Sequence, residues 1–203
     1  NGFKESRIRI TLTRGINGYD FSTCKKPTLC IQVSKLVLPT TEIIDQGVRV
    51  ITVRGQRDLP EAKTISLLPL ILAQRAMVTK KAYEAIFVDP QGFVLEGTVT
   101  NIFIVKDDVL MTPVKNILAG TTRDFVLKKA GLVNDGVARR RLLKVLARDF
   151  KIDELYEADE VFITNAPRGI VPVVKVDGKK IGNGKVGFWT QKLMVNLLGA
   201  RVD

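Results

Sequence analysis

Glu96-Gly97-Thr98-Val99-Thr100-Asn101-Ile102-Phe103-Ile104-Val105 sets an acid beside a glycine and three polar side chains, then runs into an apolar strand. By residue type alone Glu96 has two readings. It is a surface glutamate at a loop, the commoner fate, or a buried carboxylate able to pair with a cationic ring nitrogen. Working outward, residues 101–105 and 109–112 read as paired strands joined at Lys106-Asp107-Asp108. Upstream, residues 85–89 and 92–95 pair around Pro90-Gln91-Gly92, a hairpin turn.

Further from that centre, residues 7–14 alternate polar and apolar as a half-buried strand does, and Gly15 and Gly18 break the run. Residues 28–36 form a second strand, in which Ile31 and Val33 supply β-branched bulk. Pro39 opens a linker, and residues 47–53 make a third strand. The clearest helix is 66–79. Its apolar stripe is Leu67, Leu70, Ile71 and Val78, interrupted by Gln74 and widened by Leu68 and Leu72. Pro69 falls in the first turn, where a missing N–H costs little. Gly120-Thr121-Thr122-Arg123-Asp124 opens another helix, closed by Gly131. A short helix at 153–158, strands at 160–164 and 170–176, the Asp177-Gly178 turn that follows them, and an amphipathic helix at 186–198 complete the chain. Many short strands between helices indicate an α+β or barrel-like domain rather than a doubly wound sheet.

Composition removes several chemistries. The chain has 203 residues and no histidine, so a Ser-His-Asp triad, a Cys-His dyad and a histidine-zinc site are all excluded. An enzyme here works with Lys, Asp, Glu, Tyr or a cofactor. Cys24 and Cys30 have no metal-ligand spacing and read as reduced, one or both partly buried. No apolar run approaches the roughly 20 residues of a membrane span. The start, Asn1-Gly2-Phe3-Lys4-Glu5, lacks a signal-peptide core and an initiator Met, the pattern of a cytoplasmic protein or a piece of a longer one. The net charge of +11 is dispersed, with short clusters such as Lys128-Lys129 and Arg139-Arg140-Arg141, and the 6% of aromatics do not interleave with them. A solvated basic surface that attracts small anions is therefore favoured over a non-catalytic nucleic-acid-binding domain.

Two further features carry chemistry. Gly120-Thr121-Thr122 sits where a turn meets a helix N-terminus, and free N–H groups there favour a phosphate; ordinary capping by Thr121 or Thr122 is the competing reading. Lys63 precedes the 66–79 helix. A lysine in a desolvated pocket can form an imine, whereas an ordinary lysine faces solvent.

From Arg7 to Leu198 the chain resembles the class IV aminotransferases, the fold-type IV pyridoxal-phosphate (PLP) enzymes. The matching stretches stand in family order: Lys63-Thr64-Ile65-Ser66-Leu67-Leu68, Tyr83-Glu84-Ala85-Ile86, Glu96 to Phe103, Gly120 to Asp124, Ala158-Asp159-Glu160-Val161-Phe162 and Pro172-Val173. The resemblance implies a large pseudo-barrel domain of mixed strands with flanking helices over residues 39–203. Residues 1–38 would then be the end of a smaller α/β N-terminal domain. It implies PLP as cofactor and no metal. Lys63 is then the Schiff-base lysine that also moves protons at the substrate α-carbon. Glu96, Thr98 and Thr100 then bind the cofactor, Glu96 by pairing with the pyridine nitrogen, and Gly120, Thr121 and Thr122 hold the phosphate. Thr164, Asn165 and Ala166 form a second loop near phosphate and substrate carboxylate, which Arg168 could also meet. Arg54 or Arg57 could line the pocket. Ser66 departs from the Asn of many relatives, and Leu67 from the Tyr of branched-chain enzymes; Arg139 to Leu143 resembles an insertion.

Thr164-Asn165-Ala166-Pro167-Arg168-Gly169-Ile170-Val171-Pro172-Val173 is more similar to the loop of 4-amino-4-deoxychorismate lyases than to that of branched-chain enzymes. This implies conversion of 4-amino-4-deoxychorismate to 4-aminobenzoate and pyruvate, on the route to folate. Leu67-Leu68-Pro69 and Gly184-Lys185-Val186-Gly187-Phe188-Trp189 are similar instead to D-amino-acid and other aminotransferases. Amino transfer from an amino acid to 2-oxoglutarate is the alternative. In either case the partners expected are a small amino or oxo acid and a second copy of the chain, with no nucleic acid and no membrane.

Overall fold

The computed structural model describes residues 2–16, 22, 25–131, 133 and 142–198. The chain forms two compact units, Asn1–Leu38 and Pro39–Asp203. In the first, β1 (Ser6–Leu12) and β2 (Leu29–Lys35) pair antiparallel, with Ile8 opposite Val33, Ile10 opposite Ile31 and Leu12 opposite Leu29. The period-2 alternation puts these six side chains on one face, where they remain between 40% and 68% exposed. Cys30 is exposed rather than partly buried, because every position of β2 is exposed on this two-stranded sheet. Cys24 lies outside the described residues, as do Gly18 and Arg139 to Arg141.

The second unit runs α1 (Thr41–Gln46), β3 (Val48–Arg54), α2 (Leu68–Lys80), β4 (Glu84–Val88), β5 (Val94–Gly97), β6 (Asn101–Lys106), β7 (Val109–Thr112) and α3 (Thr121–Ala130). It continues through β8 (Lys144–Ala147), α4 (Ile152–Tyr156), β9 (Glu160–Asn165), β10 (Gly169–Val176), β11 (Lys179–Lys180) and α5 (Phe188–Leu198). The strands form one mixed sheet in the order β5-β4-β3-β10-β9-β6-β7-β8, with β11 added to β10. Pairs β3/β4, β3/β10 and β7/β8 are parallel. In that order β5 and β6 stand five places apart, roughly 24 Å at the usual strand spacing. Yet only Thr98-Val99-Thr100 joins them, a link that reaches about 14 Å at most. The sheet must therefore curl until its β5 edge meets β6, which is the expected pseudo-barrel.

Strand alternation then fills both faces. Along β6, Ile102 and Ile104 enter one core with Val50, Ile86, Ile163 and Leu155, while Phe103 and Val105 enter another with Val126 of α3 and Leu193 of α5. Phe103 and Phe162 are cross-strand partners whose rings stack at 4.8 Å and 12°, worth about 0.5–1.5 kcal/mol beyond area burial. The hairpin turn between β6 and β7 puts Asp107 and Asp108 at φ +49° and +59°, the double positive φ of a type I′ turn.

Helix α2 departs from the sequence reading. Leu67, Leu68, Ile71, Leu72 and Val78 are exposed, and the helix packs on β3 and β4 through Leu70, Ala73 and Met77. Apolar residues surround this helix almost evenly, so hydrophobicity alone does not pick its buried face. Helix α1 occupies the expected linker, its first turn held by Thr40 Oγ1 accepting from Ile43 N at 3.3 Å. Strand β8 is likewise additional.

Candidate active site

The curl of the sheet collects the sequence motifs at one place. Glu96, at the end of β5, is 4% exposed, which decides between its two readings. Its Oε1 accepts from Arg57 Nη1 at 3.3 Å and its Oε2 from Leu118 N at 3.1 Å. Burial raises its pKa above the ordinary carboxylate value, opposed by the Leu118 amide, then by Arg57, and last by the charge of Lys63. Arg57 is buried and Arg54 exposed, so of the two candidate arginines only Arg57 reaches this point. Arg57 Nη2 also donates to Ala62 O at 3.0 Å, holding the segment that carries Lys63. Lys63 itself is exposed, in an irregular segment before α2.

The turn between β5 and β6 is built on a second buried carboxylate. Glu84, 1% exposed, accepts from Ala85 N at 2.9 Å, Thr98 N at 3.1 Å, Thr98 Oγ1 at 2.6 Å and Thr100 Oγ1 at 3.1 Å. Thr98 and Thr100 thus donate their hydroxyl protons to Glu84. Gly97 is required there, since a Cβ would run into Thr100 Oγ1. Glu84 lies inside the Tyr83-Glu84-Ala85-Ile86 motif, but residue types gave it no role; its signal is the acid placed in an otherwise apolar strand.

Asn101 links this turn to α3. Its Nδ2 donates to Leu118 O at 2.8 Å, and a Cβ on Gly120 would strike its Oδ1. Gly120 is the N-cap of α3, and no side chain caps the helix, so capping by Thr121 or Thr122 does not occur. The N–H groups of the first turn have no intrahelical acceptor and point out of a positive dipole end. Arg123 fixes that turn from beneath, donating Nη2 to Pro113 O at 2.7 Å and Nε to Thr112 Oγ1 at 3.3 Å.

Thr164 is the cross-strand partner of Asn101, so the two side chains share a face of the sheet. Thr164 is 1% exposed, and its Oγ1 has no hydrogen-bond partner among the described residues. An unpartnered buried hydroxyl beside an uncapped helix N-terminus fits an anionic group held between them. Asn165 closes the β9–β10 turn, accepting from Arg168 N at 3.0 Å and donating Nδ2 to Val99 O at 3.3 Å. Ala166 is exposed at the tip, and the Arg168 guanidinium lies 5.2 Å from the Tyr83 ring centroid. These residues offer a buried carboxylate tied to a cation, backbone donors at a helix N-terminus and a buried hydroxyl, with Lys63 on the segment that Arg57 holds.

The fold is that of a fold-type IV PLP enzyme, as the comparisons show. A family model described as amino-transferase class IV matches residues 1–176, and the chain belongs to that PLP-dependent family. It is 38% identical over 204 residues to a Methanocaldococcus jannaschii protein provisionally named branched-chain-amino-acid aminotransferase, covering 95% of this chain and 66% of that one. A structure of the T.th. branched-chain amino acid aminotransferase with pyridoxamine 5'-phosphate matches at TM-score 0.74 and 27% identity, over 88% of this chain and 60% of that chain. A 4-amino-4-deoxychorismate lyase structure from Pseudomonas aeruginosa matches at TM-score 0.78 and 27% identity, over 95% and 70%. The chain thus spans slightly less than two thirds of the M. jannaschii protein's length. Among the described residues no helix is long and apolar enough to cross a membrane.

Proposed function

We propose that the full-length protein transfers the amino group of a small amino acid, branched-chain in the first instance, to a 2-oxo acid. The observation that carries the PLP site is the hydrogen-bonded chain from Arg57 through Glu96, Leu118 and Asn101 to the foot of α3, with Thr164 Oγ1 left unpartnered beside it. PLP, when bound, withdraws electrons from the substrate α-carbon and so stabilises negative charge there. Lys63 Nζ would hold PLP covalently and, as a free amine, would move the proton at the substrate α-carbon. Glu96 would accept from the ring nitrogen, and the N–H groups of Thr121 and Thr122 with the Thr164 hydroxyl would hold the phosphate. Asn165, Ala166 and Arg168 lie on the substrate side. The same reading takes the protein as a cytoplasmic homodimer with residues 1–38 ending a smaller N-terminal domain.

Amino transfer is favoured by the name of the M. jannaschii relative. The second reading, release of pyruvate from 4-amino-4-deoxychorismate, is favoured by the 164–173 loop and by the lyase structure among the matches. Borohydride reduction followed by peptide mapping is expected to place the adduct on Lys63; an adduct elsewhere, or none in the full-length protein, refutes the PLP site. Parallel assays of 2-oxoglutarate-dependent transfer and of pyruvate release then separate the two activities. Pyruvate release without transfer would reverse the choice.

A further inference from the structure

We propose that Arg57 is a positioning residue, whose one guanidinium sets the Glu96 carboxylate and the Lys63 segment in register with each other. The inference rests on the PLP reading above and adds a role for a residue that acts through Glu96 and the Lys63 segment. Arg57 is 8% exposed, and its planar fork faces two ways: Nη1 to Glu96 Oε1 at 3.3 Å, Nη2 to Ala62 O at 3.0 Å. Ala62 immediately precedes Lys63, and Glu96 is the ring's acceptor. Any shift of the lysine relative to the ring nitrogen's partner must therefore stretch one of two bonds to the same group.

The charge matters as well as the geometry. A buried carboxylate with no cation beside it tends to keep its proton, and a neutral acid is a poor acceptor for a cationic ring N–H. The charges acting on Glu96 are those of Arg57 and Lys63. The neighbouring carboxylate of Glu84 is turned into its own ring of donors from Ala85, Thr98 and Thr100. In the PLP reading Lys63 would be tied to the cofactor, whereas Arg57 would keep its guanidinium beside Glu96 in every state of the lysine. A lysine in its place would keep the charge, but a compact ammonium cannot replace a rigid two-way fork.

The test uses the full-length protein with R57Q, R57K, E96Q and the R57Q/E96Q pair, after the Lys63 adduct has been confirmed in the wild type. Failure of that first step sinks the PLP reading and leaves Arg57 out of account, so the two failures are distinguishable. PLP affinity is then measured by absorbance titration, with thermal melting as the check on folding. R57Q is expected to weaken PLP binding at least about tenfold. In the E96Q background the same change should cost no more than about twofold, since the carboxylate it serves is gone. Equal losses in both backgrounds, or an R57Q affinity within about twofold of wild type, would overturn the proposal. Should R57Q fail to fold, the apo R57K protein decides by amide exchange. Faster exchange at Ala62 and Thr64, whose N–H groups bond to Leu59 O and Ala62 O, is expected; unchanged exchange refutes the tie.

Discussion

Replacing Thr164 by Val tests the reading of the phosphate cup in both directions at once. Thr164 is 1% exposed, and its hydroxyl has no partner among the described residues. Leaving such a group unsatisfied costs about 1–3 kcal/mol, and Val has nearly the same shape without the hydroxyl. The cofactor-free protein should therefore gain about 1–2 kcal/mol from the substitution. For a unit of this size each kcal/mol moves Tm by about 2–4 °C, so the rise should be about 2–8 °C. The loaded protein should behave oppositely. If the phosphate sits there, the hydroxyl would donate to a charged acceptor, a bond worth about 1.5–3 kcal/mol, and its loss should weaken PLP binding by about tenfold to a hundredfold. Scanning calorimetry with and without PLP reads both numbers from one sample pair: a higher starting Tm and a smaller increment on adding cofactor. A lower Tm in the cofactor-free variant would mean that Thr164 already has a partner. An unchanged increment would remove it from the cup.

Three further outcomes are expected. Gly120→Ala drives a Cβ into Asn101 Oδ1 and should destabilise the fold by about 1–3 kcal/mol while weakening binding of inorganic phosphate, both measurable by denaturant titration with and without phosphate. Glu160→Gln removes the carboxylate that accepts from Trp189 N, Thr190 N and Thr190 Oγ1 at 2.7–2.9 Å; a loss of about 1.5–3 kcal/mol should appear together with a shift in Trp189 emission. Glu96 has a pKa raised by burial, so the folded state holds its proton more tightly than the unfolded chain does. Its contribution to stability is complete below the ordinary carboxylate pKa of 4.5 and is lost as pH rises through the raised folded value. Urea unfolding across that acid-to-neutral window should show the decline in the cofactor-free protein, and E96Q should remove this component of the slope.

The hairpins of the large unit were legible because period-2 alternation and turn residues are local signals. The strands on either side of Lys106-Asp107-Asp108 fall almost where residue types put them. What stayed hidden was set at long range. No local feature of residues 144–147 marks them as a strand; they become one by lying parallel to β7. The buried face of α2 could not be chosen because its apolar residues encircle the helix, and the sheet selects Ala73. At the site, Lys63, Glu96 and Gly120 to Thr122 came from a family resemblance; residue types alone left each of them ambiguous. Glu84 remained without a role, because its function is to collect Thr98 and Thr100, partners more than a dozen residues away. Arg57 was one of two candidates, separated from Arg54 only by burial.

The face of the first unit made by Ile8, Ile10, Leu12, Leu29, Ile31 and Val33 has a practical side. Two strands carrying a continuous apolar surface, with backbone groups unpaired along their edges, form a template on which other chains can add. Preparations of residues 1–203 alone should therefore be colloidally poor whatever the state of the pocket. They should bind hydrophobic dyes, self-associate with rising concentration, and gain solubility from Ile10→Thr and Ile31→Thr. Self-association seeded by this face will limit the concentration at which the protein can be assayed.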